Sequence, residues 1–206
     1  MVIINNNVDA AAFAPDENAR LTLRQELNVG QAFVWLSVGR LTPAKNHAAL
    51  IRAFARVHQE KPDTRLYIAG DGALRRELQA LISELGLGAV VTLLGNWTDM
   101  PRLYNAADAF VLTSLWEGTP NVLLEAAATC LPLVATPAGD NPVIIQHGAS
   151  GYIVPEPTEA AIADYMLRVT NLPASERSQM GQTARLRIRD TYSPEGVQQE
   201  WEKLLR

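Results

Sequence analysis

AFVLTSLWEGTPNVLLE (109–125) decides the fold. Its opening, AFVLTS (109–114), is an apolar run with strand character, and the segment beyond Glu117 has helix character. Thr119 is the expected N-cap and Pro120 the first helical position, where a missing N–H costs nothing. A strand that delivers its chain straight into a helix belongs to an α/β unit. The amides of Thr119, Asn121 and Val122 would then point out of the helix start, where an anion is favoured. Glu117 stands on the loop before the helix, and Glu125 lies one to two turns inside it. Taken singly, each glutamate also reads as a solvated surface residue. Together they suit a ligand that carries both a phosphate and several hydroxyls, such as a nucleotide-sugar.

The rest of the chain repeats this unit. Further strand-like runs are FVWLSV (33–38), RLYIAG (65–70), VVTLLG (90–95), PLVAT (132–136) and GYIVP (151–155). They are almost continuously apolar, as strands buried on both faces are. Helix-like stretches lie between them at 46–60, 73–86, 99–106, 120–130 and 141–147. From about 158 the chain reads as helix only, at 158–170, 175–190 and 194–205, with Thr158 and Ser193 as good starts. The pattern predicts an α/β, Rossmann-like three-layer sandwich with a six-stranded parallel sheet and a helical C-terminal tail.

Composition excludes several other classes. The chain has 206 residues, 48% of them hydrophobic, enough for one sizeable core. Its single cysteine, Cys130, rules out a disulfide framework, and His47, His58 and His147 lack metal-ligand spacing. A net charge of −4 leaves no nucleic-acid footprint. No apolar run approaches the ~20 residues that span a bilayer. MVIINNNVDA (1–10) lacks the basic start and apolar core of a secretory signal, so a cytoplasmic protein is expected.

Parallel sheets of this kind bind ligands outside the carboxyl ends of their strands. Four junctions fall there. In SVGRL (37–41), Gly39 permits a sharp turn, Arg40 offers a bidentate phosphate contact, and Lys45 adds a point charge. Gly70-Asp71-Gly72 is also a plain turn. In Gly95-Asn96-Trp97-Thr98-Asp99, Trp97 reads either as a surface-packed aromatic or as the wall of a base pocket. The fourth junction is EGTPNVLLE (117–125).

The set VGRL with Lys45, AGDG (69–72), LLG (93–95), FVLTS (110–114), EGTPNVLLEA (117–126) and HGASGYIV (147–154) resembles the retaining glycosyltransferases of GT-B fold, the group 1 glycosyl transferases. The resemblance covers nearly the whole chain and implies roles residue by residue. Arg40 and Lys45 neutralise a donor diphosphate, and Glu117 faces the donor sugar and, with them, makes up the catalytic set. Gly39, Gly95, Trp97, Gly118, Asn121, Val122 and Glu125 bind the donor substrate; the loop 96–99 holds its base and Glu125 receives the ribose hydroxyls. The donor would be a UDP-, GDP- or ADP-sugar, with no metal and no other cofactor.

The group has two Rossmann-like domains, with the site between them. IINNNVD (3–9) resembles the element near the interdomain crossing, so residues 1–30 are expected to be a remnant of that crossing and a lead-in. Residues 31–206 are then the nucleotide-sugar-binding half of a GT-B fold, without its N-terminal partner domain. The missing half would supply most contacts to a saccharide or lipid-linked acceptor, and any peripheral attachment to the inner face of a membrane. Two positions depart from the group: Cys130 and Asp140 both stand where glycine is usual. Two functions are compatible with these residues, the donor-binding half of a hexosyl-transferring enzyme or a non-catalytic nucleotide-sugar binding module. A sugar-nucleotide epimerase shares the fold, but the Gly-Arg-Leu to Lys45 spacing and the PNVLLEA run argue against it.

Overall fold

The computed structural model describes residues 6–193. Six strands form one all-parallel sheet: β1 (Phe33–Val38), β2 (Thr64–Ala69), β3 (Val91–Gly95), β4 (Ala109–Leu112), β5 (Leu133–Ala135) and β6 (Gly151–Ile153). Each lies inside, or within one residue of, its expected run. Their order is β3-β2-β1-β4-β5-β6. The chain therefore reverses its winding between β1 and β4, where Trp35 is level with Ala109 and Leu36 with Phe110. A crevice at the carboxyl ends of such a pair is where doubly wound sheets bind ligands.

Eight helices occur among the described residues: α1 (Glu17–Glu26), α2 (His47–Glu60), α3 (Arg75–Glu84), α4 (Met100–Ala106), α5 (Asn121–Ala128), α6 (Asn141–Ile144), α7 (Glu159–Asn171) and α8 (Ala174–Thr191). Alternate residues of the strands feed two cores, one on each face. Val34, Leu36, Phe110 and Leu112 pack with α4 and α5, while Trp35, Leu66, Ile68 and Val111 pack with α2, α3 and α7. Trp35 is fully buried, and its indole N–H donates to Thr170 Oγ1 at 3.2 Å, so the apolar ring carries no unpaired donor.

Helix α1 was not expected, because ENARLTLRQE buries only Leu23 and Arg24 and shows little apolar periodicity. Its start signal was nevertheless present: Asp16 caps it by accepting from the Ala19 N–H at 3.0 Å. Helix α5 starts one residue later than expected. Pro120 is the N-cap and Asn121 the first helical residue, because the Thr119 hydroxyl donates to Asp140 Oδ2 instead of capping the helix. The expected helix at 194–205 lies outside the described residues.

Cys130 follows α5 with φ +61°, the left-handed conformation that favours glycine. Its carbonyl lies against Gly181 of α8, where an added Cβ would come within 1.8 Å of that oxygen.

Candidate functional site

The site starts from the carboxyl end of β1. The Gly39 N–H donates to the Ala69 carbonyl and the Leu41 N–H to that of Asp71, so the loop after β1 stays tied to the end of β2. Gly70, at φ +130°, lets the two loops touch; a Cβ there would lie 2.1 Å from the Gly39 carbonyl oxygen. The Gly70 N–H in turn donates to the Gly95 carbonyl at 2.7 Å, which brings the end of β3 into the same row. Gly39, Gly70, Asn96, Trp97, Met100, Val38 and Ala69 line a shallow pocket of about 210 Å³ at these three strand ends. Trp97 is half-buried against the core, with its indole N–H donating to the Asp99 carbonyl at 3.0 Å. Packing and pocket wall are therefore both true of it.

The loop after β1 continues into a single 3-10 turn, Pro43–Lys45, that ends on Asn46 at φ +51°. This turn crosses to β4. The Leu115 N–H donates to the Ala44 carbonyl at 2.8 Å, and the Thr113 hydroxyl to the Lys45 carbonyl at 3.0 Å. Lys45 Nζ then meets Glu117 Oε1 at 2.5 Å. The same oxygen accepts the Ser114 hydroxyl at 2.6 Å. Both partners of the ion pair are largely shielded, with 19% and 11% of their side chains exposed. The pair spans the point at which the sheet reverses its winding. Arg40, on the same loop after β1, is exposed and engaged by no carboxylate among the described residues.

Helix α5 adds its N-terminus. The Leu123 and Leu124 amides turn back to the Pro120 carbonyl, and Asn121 and Val122 stand in the first turn beyond it. Gly139, at φ +52°, fits the next loop against the backbone of Glu117 and Gly118, and the Asp140 N–H donates to the Gly118 carbonyl at 3.1 Å. Asp140 therefore braces the Glu117–Thr119 loop through both its backbone and its carboxylate.

Glu125 sits four residues into α5, half-buried, with Oε2 accepting the Tyr104 hydroxyl at 2.8 Å. Burial raises its carboxyl above the usual carboxylate range, and the Tyr104 bond partly offsets this. Tyr104 is fully buried, and burial first, then the Glu125 charge, hold its hydroxyl protonated well beyond the ordinary range. Its hydroxyl has two acceptors in reach, Glu125 Oε2 at 2.8 Å and the Val122 carbonyl at 3.1 Å. Sequence reading missed Tyr104, Ser114 and Asp140's brace because each acts through a contact between separate elements. The structure joins Gly39, Lys45, Glu117 and Gly118 in one contact chain, and Gly39, Gly95 and Trp97 along the pocket row. Among the described residues, no side-chain hydrogen bond or ion pair ties Arg40 or Glu125 to the others.

His47, at the start of α2, is buried with Nδ1 unpartnered. Burial and then the neighbouring Lys45 charge lower its pKa to about 4. Among the described residues no three His, Cys, Asp or Glu side chains gather as a metal site, and no helix is long and apolar enough to cross a membrane.

The chain is 32% identical over 173 residues to an Escherichia coli UDP-Gal:alpha-D-GlcNAc-diphosphoundecaprenol alpha-1,3-galactosyltransferase, an alignment covering 82% of this chain and 45% of that protein. It superposes on Anabaena Alr3699/HepE, solved in complex with UDP-glucose, with a TM-score of 0.91 and 26% identity, covering 99% of this chain and 57% of that one. It also superposes on the C-terminal domain of a group 1 glycosyl transferase (LpcC) from Francisella tularensis, with a TM-score of 0.80 and 25% identity, covering 91% of this chain and 99% of that domain. The chain thus spans about half the length of the full-size proteins it matches. Residues 19–187 match the family model of glycosyl transferases group 1, and the chain belongs to that family.

Proposed function

We propose that this chain is the donor-binding half of a retaining glycosyltransferase that moves a hexosyl group from a nucleoside diphosphate sugar to a saccharide or lipid-linked acceptor. The observation that carries this reading is the cluster at the β1–β4 reversal: exposed Arg40, Lys45 on Glu117, and the start of α5, all on one strand edge. Arg40, Lys45 and the α5 amides would hold the diphosphate and stabilise charge on the leaving phosphate. Glu125, oriented by Tyr104, would accept the ribose hydroxyls, and the Trp97 pocket would take the base. Glu117 would receive hydroxyls of the donor sugar. In retaining transfer the acceptor hydroxyl attacks from the face the diphosphate leaves and gives its proton to that phosphate.

Relatives about twice as long support a second Rossmann-like domain opposite this one, residues 31–206 being the donor half and 1–30 the lead-in from the crossing. A closed cleft supplies orientation and excludes water, effects worth many orders of magnitude in rate. We therefore expect the 206-residue chain to bind a nucleoside diphosphate weakly and to transfer no sugar, which makes it by itself a nucleotide-sugar binding module. Calorimetry with UDP, GDP and ADP and their sugars tests the reading and identifies the base. Glu117→Ala should leave the bare diphosphate almost unaffected and weaken the nucleotide-sugar; equal losses for both would remove Glu117 from the sugar site.

A further inference from the structure

Glu117 is held by two donors on one oxygen. Lys45 Nζ at 2.5 Å and Ser114 Oγ at 2.6 Å both reach Oε1, while no described residue bonds Oε2. Ser114 is fully buried, so no ligand can touch it. Its backbone is fixed in turn, because its carbonyl accepts the Thr136 hydroxyl at 2.5 Å, and the Thr136 carbonyl accepts the buried Asn141 Nδ2 at 2.9 Å. The two donors differ in kind. Lys45 has a flexible stem, and a bound diphosphate would compete for its ammonium. The Ser114 hydroxyl hangs from a buried loop pinned to β5 and has no competing ligand.

We infer that Ser114 is a positioning residue for the donor sugar: its hydroxyl fixes Oε1 of Glu117 and so presents Oε2 as the single free acceptor for sugar hydroxyls. The physical basis is pre-organisation. A carboxylate with one oxygen tethered has few orientations left to lose when a ligand binds, and a charge-assisted bond of this length holds it firmly. When phosphate draws Lys45 away, Ser114 alone keeps Glu117 aimed. The inference rests on Glu117 facing the sugar, as proposed above.

The test is the ratio of nucleotide-sugar affinity to bare diphosphate affinity, measured by calorimetry on the whole chain with the best-binding base. Ser114→Ala should cut that ratio about fivefold to tenfold, the scale of one ordinary hydrogen bond. The bare diphosphate should change less than about twofold. Ser114→Thr, which keeps the hydroxyl, should restore the ratio. In a Glu117→Ala background, Ser114→Ala should add nothing, because its effect runs through that carboxylate. Melting curves of each variant show that the fold is intact. An unchanged ratio in Ser114→Ala overturns the inference. So do equal losses for both ligands, which mark a merely structural role, and a full additional loss in the Glu117→Ala background. If the unaltered chain gains no affinity from the sugar, the donor-site reading falls first, and the positioning role falls with it.

Discussion

The two edges of the sheet at the β1–β4 border carry the same chemistry to opposite ends. At the amino edge Asp108 accepts from Arg20 at 2.5 Å, from Arg24 at 3.1 Å and from the Val34 N–H at 2.8 Å. Arg24 is only 8% exposed, and its Nη1 and Nη2 also donate to the carbonyls of Ala106, Gly30 and Ala32. Two guanidiniums share that one carboxylate, and backbone carbonyls of Asn105 and Ala107 take the other bonds of Arg20. At the carboxyl edge Lys45 and Glu117 pair, but Arg40 faces solvent and Glu117 keeps one oxygen free. A saturated cluster staples a fold, whereas a cluster with outward capacity left over can take a ligand. Cavity size points the other way: a cavity of about 690 Å³ lies at the amino edge beside Arg20, Asp108 and Cys130, against about 210 Å³ at the carboxyl edge. Unspent hydrogen-bonding capacity distinguishes the two edges better than volume does.

The strongest way to break this contrast is at the staple. Asp108→Ala should strand the buried Arg24 and cost about 4 kcal/mol of stability in chemical denaturation. Nucleotide affinity at temperatures where the variant stays folded should hold. A large loss of affinity with little loss of stability would reverse the assignment of the two edges.

Acid should act on the carboxyl edge through His47. The unfolded chain takes up this proton near pH 6.5 and the folded chain only at about 4. A depressed folded-state pKa gives stability that is complete above pH 6.5 and lost as pH falls from there toward 4. The full loss is about 3 kcal/mol. His47→Gln should flatten the melting temperature across that window relative to the unaltered chain.

Arg40→Ala sharpens the comparison from the ligand side. An exposed arginine outside any internal network should leave the melting temperature unchanged, yet cost about 2 kcal/mol of diphosphate affinity in calorimetry. A drop in stability of similar size would place Arg40 with Arg24 as a structural group.

The smallest effect belongs to Cys130, which borders the amino-edge cavity. Cys130→Gly should relieve the left-handed conformation and raise stability by about 1 kcal/mol in a thermal melt, with nucleotide affinity unchanged. A loss of affinity would show that the thiol has a part in binding.

The strand–helix alternation, the all-parallel sheet and the placing of Gly39, Gly95 and Glu117 at carboxyl ends were legible in the sequence. These are local properties: apolar runs mark buried strands, and crossovers of one hand then stack them with their ends aligned. Even the strain at Cys130 was legible, since a helix stopping before Leu131-Pro132 demands a left-handed residue. Helix α1 was not, because it buries almost nothing apolar and is held by arginines reaching Asp108, 84 and 88 positions away. Nor was the grip of Ser114 and Lys45 on one oxygen of Glu117, the Tyr104 bond to Glu125, or the diversion of Thr119 from its cap to Asp140. Lys45 and Glu117 are 72 residues apart and meet only because β1 lies beside β4 in the sheet. Strand order is set by how whole layers bury against each other, and no local pattern carries it; the sequence by itself determined which residues reach the carboxyl edge, and the tertiary structure decided which of them touch.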